Sequence, residues 1–490
     1  MVLLILSNEF RLFIYVIRIN MEADYDGDQC SVRGVYSDEA NMECEEIMNR
    51  KMSALNITGT NAKGVSKELF NSLYELTKIG DGGKPLTQSD VNTYLELKPN
   101  DITLIMLTDM FADLANMSED VKDRSVKRRC KHMTWDTMTI PKNYFYDGQP
   151  SIDTTIGRFI VNKFILEGSG LISIVKYNNN ILNKKTIGSL DNLIGQLYME
   201  DKIDRKIFNT YIDRRDNLGY WVNGMLAHTI SQKMLRPIDA IEKKKAELCK
   251  KYEKELSSGN IDVMTKVSDE LVAYAKEILK GDPGMDLYDS GDLDFGNNYK
   301  NNAILKGAVV NKITGEYDFI QSSFMNGIEI KDIPAHANSI LAAQYPASIA
   351  TQDAGYDGKK LLALLQMMEV DEPGTDCGTK NLIPITVTPH NKNDLIYTYI
   401  DDGGSLIMLD KCNIDSYVGK VVMMRSPETC LNNKICHKCA GNLFHMLDIK
   451  HAGLFATQIS HSALNLGLKA KHNSLINLYT LNPDDIIQDL

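Results

Sequence analysis

Three aspartates alternate in the run Asp24-Tyr25-Asp26-Gly27-Asp28. On a strand they would share one face, and in a tight loop they can converge on one point. Gly27 supplies the backbone freedom that such a loop needs. Three convergent carboxylates stay ionised at a dry site only around a cation, and hard oxygen ligands suit magnesium or calcium. A calcium hand also opens on D-x-D. It requires Gly at the sixth loop position, which here is Gln29, and a bidentate Glu at the twelfth, which here is Val35. A solvated acidic turn is the plain alternative.

A second set of residues also has ligand character. Cys430, Cys436 and Cys439 have five and then two residues between them, and Cys377 stands upstream in Thr375-Asp376-Cys377-Gly378-Thr379. Four thiolates suit tetrahedral zinc, whereas a C-x-x-C pair alone is equally redox-active or accidental. Cys30, Cys44, Cys130, Cys249 and Cys412 have no partner pattern. Nine cysteines is an odd number, without the regular spacing of a secreted disulfide scaffold, so a reducing compartment is expected.

The chain that must position these groups has 490 residues, enough for about three domains. Hydrophobic residues make up 43% and charged residues 24%, which specifies a folded chain rather than a disordered one. The net charge of -11 argues against a general nucleic-acid coat and leaves room for a local basic channel. Met1 to Asn20 is apolar, with Val2-Leu3-Leu4-Ile5-Leu6 and Phe13-Ile14-Tyr15-Val16-Ile17 as its runs. Glu9 and Arg11 interrupt it, and it has neither a basic leader region nor a small-residue cleavage site. A strand feeding a buried barrel is expected there, not a signal peptide or a membrane span.

Residues 1–35 read as strands around the acidic loop, and 36–130 as mainly helical, with Glu39 to Met52 amphipathic. The most basic stretch, Ser125-Val126-Lys127-Arg128-Arg129-Cys130-Lys131-His132, reads as a solvated surface run or a phosphate contact. Pro141, Gly148 and Pro150 mark a junction over 141–152. Residues 230–280 read as a long exposed helical hairpin, with the lysines from Glu242-Lys243-Lys244-Lys245 onward facing water. Gly281-Asp282-Pro283-Gly284 should stop it. A further helical region is expected over 326–369, a mixed Gly/Pro/Cys segment over 373–439, and an apolar helix near Ala452.

Glu22-Ala23-Asp24-Tyr25-Asp26-Gly27-Asp28-Gln29 resembles the N-A-D-F-D-G-D-Q signature of the large (β′-type) subunit of multi-subunit DNA-directed RNA polymerases. The similarity continues through Ser37-Asp38-Glu39-Ala40, Glu43, Glu45 and Ile47-Met48. The family's Asn, which lies close to the sugar of the nucleic acid or incoming nucleotide, is Glu22 here. Asp153-Thr154-Thr155-Ile156-Gly157-Arg158 resembles the T-T-x-G-R element that precedes the family's funnel. Asp289-Ser290-Gly291 resembles the D-S-G of the same channel region, with Lys300 and Lys306 where the family carries arginines and Leu293 in place of a further one.

Phe324-Met325-Asn326-Gly327 through Gly355-Tyr356-Asp357-Gly358-Lys359-Lys360-Leu361 is similar to the bridge helix. Thr351 and Gly355-Tyr356 match, Lys359-Lys360 replace an Arg pair, and Gln352 replaces the small Ala that abuts the active-site base pair. Pro346 sits mid-helix, at a cost of about 3 kcal/mol against Ala, so a kink is expected. Cys377 in D-C-G-T, with three later cysteines ending in C-x-x-C, resembles the family's zinc site. Four cysteines leave no open position for water, so that zinc would be structural. Ala452-Gly453-Leu454-Phe455-Ala456-Thr457-Gln458 resembles the start of the trigger loop, and Leu468-Lys469-Ala470-Lys471-His472 its M-R-T-F-H. The family's G-E-P-G turn is replaced by His461-Ser462-Ala463.

The resemblance covers nearly the whole chain from about residue 20. It implies a mixed α and β, multidomain fold. Residues 1–45 would form part of a double-psi β-barrel with the catalytic loop, and 46–150 a mainly helical active-site region. Funnel and secondary channel would follow over 151–310, the bridge helix over 311–370, a zinc-binding module over 371–450 and the start of the trigger loop over 451–490. Asp24, Asp26 and Asp28 would hold catalytic magnesium, and Lys469 and His472 would close over the triphosphate. Glu22, Gln29, Thr351, Gln352, Lys300 and Lys306 would lie near nucleic acid or nucleotide.

The implied partners are other polymerase subunits, including a β-type subunit and a promoter-specificity factor, with DNA template, RNA product and nucleoside triphosphates. No membrane is implied. With almost no chain before the acidic loop and little after His472, a split large subunit as in giant bacteriophages is expected. Its place would be the cytoplasm, of the host for a viral enzyme, or the virion. Two-barrel RNA-dependent RNA polymerases, which also use a D-x-D-G-D loop, and a non-catalytic zinc-stabilised scaffold are the alternatives.

Overall fold

The computed structural model describes residues 2–3, 32–56, 59–61, 64–80, 82–104, 106–107, 132–226, 228–311, 314–345, 351–453 and 456–457. Glu22, Asp24, Asp26, Asp28 and Gln29, most of the basic stretch, Pro346, Lys469 and His472 lie outside them. The described residues fall into two compact units. One draws on 65–190 and 205–352, the other on 1–64, 191–204 and 353–465. Among the described residues no helix is long and apolar enough to cross a membrane.

In the first of these units, the helix Lys67–Thr77 buries Leu69, Phe70, Leu73 and Leu76. That spacing lays an apolar stripe along one helix face. It packs on Arg205–Asn223, which buries Phe208, Tyr211, Ile212, Leu218 and Val222. The strands Thr137–Ile140 and Ile152–Thr155 pair antiparallel, with Ile140 opposite Ile152. The breakers over 141–152 are therefore the loop of a strand pair and not a junction between domains. Gln149 is fully buried in that loop, where its side-chain oxygen accepts from the Phe145 N–H at 2.9 Å. Pro and Gly mark a reversal of the chain, and they do so between strands as well as between domains.

The helical hairpin forms as Asp239–Lys251 and Ile261–Ile278, with a short helix Glu253–Ser257 between them. Asn260 caps the returning helix by accepting from the Val263 N–H at 3.2 Å. The hairpin is less exposed than expected. Leu248, Met264, Val267, Leu271 and Ala275 share a core with Phe295, Tyr299 and Ile304. Lys243 and Lys250 are exposed, but Lys245 is buried, donating to the Ile304 carbonyl at 2.9 Å and pairing with Glu242 at 2.8 Å. A Lys-rich run does not reveal which of its members a later segment covers. The stop works as expected. The Asp282 carboxylate accepts from the Gly284 N–H at 2.9 Å, and a single turn Pro283–Met285 follows. Helix Ile333–Tyr345 starts later than position 326, behind the turn around Gly327.

In the other unit, Val2–Leu3 pairs in parallel with Val32–Arg33, and the acidic loop falls between these strands in sequence. Ser37 caps the helix Asp38–Asn49 by accepting from the Ala40 N–H at 3.1 Å. No residue of that helix is buried. Helix Thr351–Leu365 precedes a four-stranded antiparallel sheet in the order Ile383–Thr386, Val421–Met424, Tyr399–Asp402, Ser405–Met408. Side chains alternate across it. Val422 faces a core of Val387, Leu395, Ile400, Leu409 and Ile414, while Val421 and Met423 are exposed. Gly403 and Gly404, at φ of +66° and +94°, form the two-residue turn that positive φ at both positions favours.

Candidate metal centre

The sheet lies in sequence between Cys377 and Cys430, and the centre is assembled from the chain on either side of it. Cys377 follows the turn at Gly374, Cys430 ends the turn Pro427–Thr429, and Cys436 caps the short helix His437–Ala440 that carries Cys439. Gly441, at φ +84°, ends that helix. The four Sγ atoms all lie within 4.8 Å of one another, and Cys377 and Cys439 are 3.6 Å apart. A tetrahedron with zinc–sulfur bonds of about 2.3 Å has edges of about 3.8 Å. The quartet fits a tetrahedral metal such as zinc, and the convergence of four thiols favours this over a two-cysteine redox pair.

Main-chain donors already point at the sulfurs. The Cys377 N–H donates to Cys436 Sγ and the Cys436 N–H to Cys430 Sγ, both at 3.4 Å. Burial opposes charge on Cys377, yet the Leu431 and Thr379 N–H groups and the neighbouring thiols bring it down to about 6. Burial pushes the Cys430 and Cys439 thiols up. A bound divalent cation would hold all four as thiolates.

Two surrounding residues carry no signal in the spacing of the ligands. Arg425 is nearly fully buried and reaches Cys377, Cys439 and Asp376. His437 is buried beside Cys436. Its Nδ1 accepts from the Gly374 N–H at 2.8 Å, which leaves Nε2 to donate to Asn442 Oδ1 at 3.1 Å. Its own N–H donates to Thr375 Oγ1 at 3.0 Å. These bonds tie the Cys377 loop to the Cys439 helix. Burial lowers the imidazole pKa, which keeps it neutral.

The other motifs are placed as follows. Thr155 caps the helix Ile156–Val161, its Oγ1 accepting from the Arg158 N–H at 3.4 Å. Arg158 is buried and donates from Nε to the Thr77 carbonyl at 2.9 Å. A Cβ on Gly157 would stand 1.7 Å from the Leu76 oxygen. This element therefore binds the strand pair to the helix Lys67–Thr77. In D-S-G, Ser290 is fully buried and its carbonyl accepts the Lys184 N–H at 2.8 Å. Lys300 donates to the Lys306 carbonyl at 3.3 Å, and burial first, then the Lys306 charge, lowers its pKa. Thr351 and Gln352 begin the helix Thr351–Leu365.

Comparison with known proteins defines the class: over most of its length the chain is similar to β′-type subunits of DNA-directed RNA polymerases. In particular, it is 24% identical over 465 residues to subunit beta' of Aliarcobacter butzleri, covering 86% of this chain and 28% of that subunit. It is 23% identical over 462 residues to subunit beta' of Nitratiruptor sp., covering 86% and 28%. With subunit beta' of Bacillus thuringiensis it shares 21% over an aligned span of 520 residues, covering 96% and 42%. The chain thus spans less than half the length of these curated relatives. No protein-family model matches it. The resemblance read from the motifs is borne out for the β′-type subunit.

Proposed function

We propose that the chain is the catalytic-centre part of a DNA-directed RNA polymerase and works only within a multi-subunit complex. The observation that carries this reading is similarity to β′ subunits across 86% to 96% of the chain. Convergence of the four cysteines supports it, since their order and the D-C-G-T context resemble the family's zinc site. The reaction is nucleotidyl transfer: the RNA 3′-hydroxyl attacks the α-phosphorus of a nucleoside triphosphate and pyrophosphate leaves. Asp24, Asp26 and Asp28 are the ligand set for magnesium. They would hold one magnesium firmly and help to hold a second, a two-magnesium mechanism in which one metal would lower the pKa of the hydroxyl and the other would steady the leaving pyrophosphate.

Lys469 and His472 add positive charge at the phosphates. Lys300, Lys306, Thr351, Gln352, Glu22 and Gln29 line the path of nucleotide and nucleic acid. Cys377, Cys430, Cys436 and Cys439 hold a structural zinc that keeps the module after the bridge region folded. DNA template, RNA product and other polymerase subunits, a promoter-specificity factor among them, are the partners, and the cytoplasm is the place of action. The relatives' name, DNA-directed polymerase, favours this reading over a two-barrel RNA-dependent enzyme. The intact acidic triad favours it over an inert scaffold.

The test is purification from the native source followed by reconstitution. Other polymerase subunits should accompany the chain, and Asp26→Ala should abolish RNA synthesis while leaving assembly intact. Wild-type rates in the Asp26→Ala complex refute the assignment.

A further inference from the structure

We propose that Arg425 is a positioning residue of the cysteine centre: steered by Asp376, its guanidinium donates to the ligand sulfurs and so sets how firmly the metal is held. This rests on the reading of the quartet as a metal site.

The backbone at Arg425 is fixed by the sheet. It directly follows the strand Val421–Met424, and its N–H donates to the Tyr399 carbonyl at 2.8 Å. Its side chain turns inward and is 3% exposed. Nε lies 3.4 Å from Cys439 Sγ, and Nη2 lies 3.3 Å from Cys377 Sγ and 4.0 Å from Cys436 Sγ. Nη2 also pairs with Asp376 Oδ1. The same carboxylate oxygen accepts the Gly378 N–H at 2.9 Å, so Asp376 is held from two sides.

Four thiolates around a divalent cation carry a net charge of about −2, which is costly where water is excluded. A guanidinium among the sulfurs offsets part of that charge. Its N–H groups also take up sulfur lone pairs that the metal does not use. The planar fork reaches Cys439 from Nε and Cys377 and Asp376 from Nη2, whereas an ammonium would have to reach all three from a single nitrogen. The neighbouring cation, Lys438, sits 4.0 Å over the Tyr399 ring. Asp376, at 37% exposed, keeps contact with water and orients the fork without burying a second full charge.

The test uses the full chain loaded with zinc, and in parallel with cobalt(II), in the wild type and in Arg425→Gln, Arg425→Lys and Asp376→Asn. Metal release to a competing chelator and the energy of the sulfur-to-cobalt charge-transfer band are read together. Loss of an outer-shell partner usually weakens a site by about 10- to 100-fold, and that is the loss expected for Arg425→Gln. Arg425→Lys should fall between it and the wild type, and Asp376→Asn should lose least. The band should move in both Arg425 variants, whereas a mere loop-to-sheet ion pair would leave it in place. Release within about twofold of wild type, with an unmoved band, overturns the proposal. If Arg425→Gln does not fold, Arg425→Lys decides by the same two readouts. A wild-type chain that takes up no metal overturns the metal reading itself; metal uptake with insensitive Arg425 variants overturns only the role of Arg425.

Discussion

Stripping the metal from the cysteine quartet should unfold its module and spare the rest of the chain. Apart from the cysteines, the buried residues of that cluster are Ile435 and Ala452, with Val370, Ala440 and Phe444 half-covered. Burial of an Ile side chain contributes about 2–3 kcal/mol, and the smaller or partial contacts add a few more. Ordering the segments around Cys377 and Cys430–Cys439 costs on the order of 1 kcal/mol per residue or more, hence well over 10 kcal/mol. The shortfall is about 10 kcal/mol, the scale of structural zinc binding in small zinc peptides. Neither the sheet core of Val387, Leu395, Ile400, Leu409, Ile414 and Val422 nor the hairpin core around Leu271 contains a residue of the quartet, so neither depends on the metal. Hydrogen exchange of the full chain, before and after exhaustive chelation with metal content assayed, separates the outcomes. The amides of Gly374, Cys377, His437 and Cys439, which are bonded within the module, should lose protection. Those of Ile261–Ile278 should keep it. Unchanged protection at 430–440 in metal-free protein would refute the reasoning.

Two further outcomes follow from the unit that holds the hairpin. Gly157→Ala should destabilise by about 1–3 kcal/mol or more, because the neighbour it meets is the Leu76 backbone, which cannot swing away. Gly188→Ala, in the helix Lys184–Met199 with nothing within 4 Å, should be neutral or stabilise by about 0.5–1 kcal/mol. Urea titration of both measures the contrast, and the reverse order would dismiss the packing role of T-T-x-G-R. Burial pushes the Glu75 carboxyl up to about 7, against the pull of Lys78 at 2.7 Å and with the charge of Asp286 adding. A pKa raised on folding gives stability that is full below the unfolded value of about 4.5 and is lost as pH rises through about 7. Glu75→Gln stays neutral, so its urea midpoint should gain on wild type across that window. A constant difference between the two would count against a buried, protonated Glu75.

How far the sequence could be read depended on what the residues do locally. The cysteine quartet was legible because four thiols suit a tetrahedral metal and because their order and the D-C-G-T context resemble the family's zinc site. Its companions were not. Arg425 reaches the sulfurs through the end of a strand, and His437 works through a ring nitrogen facing a distant glycine, so neither leaves a spacing signature. The hairpin over 239–278 was legible from helical patterning, but the burial of Lys245 depends on Ile304, far along the chain. The four-residue strands of the sheet read only as part of a mixed Gly/Pro/Cys segment, since they are too short to establish a period of two. The breakers at 141–152 were read only as a junction, whereas they form the loop of a strand pair; turn chemistry is the same in both settings.

RNA synthesis by the reconstituted complex tests the central claim most directly. Complexes carrying wild-type chain or Asp26→Ala are assembled with the co-purifying subunits, checked for equal composition, and supplied with DNA template, nucleoside triphosphates and magnesium. The wild-type complex should make RNA and the Asp26→Ala complex, equally assembled, should make none. Equal synthesis by both would contradict the assignment of the acidic loop as the catalytic centre.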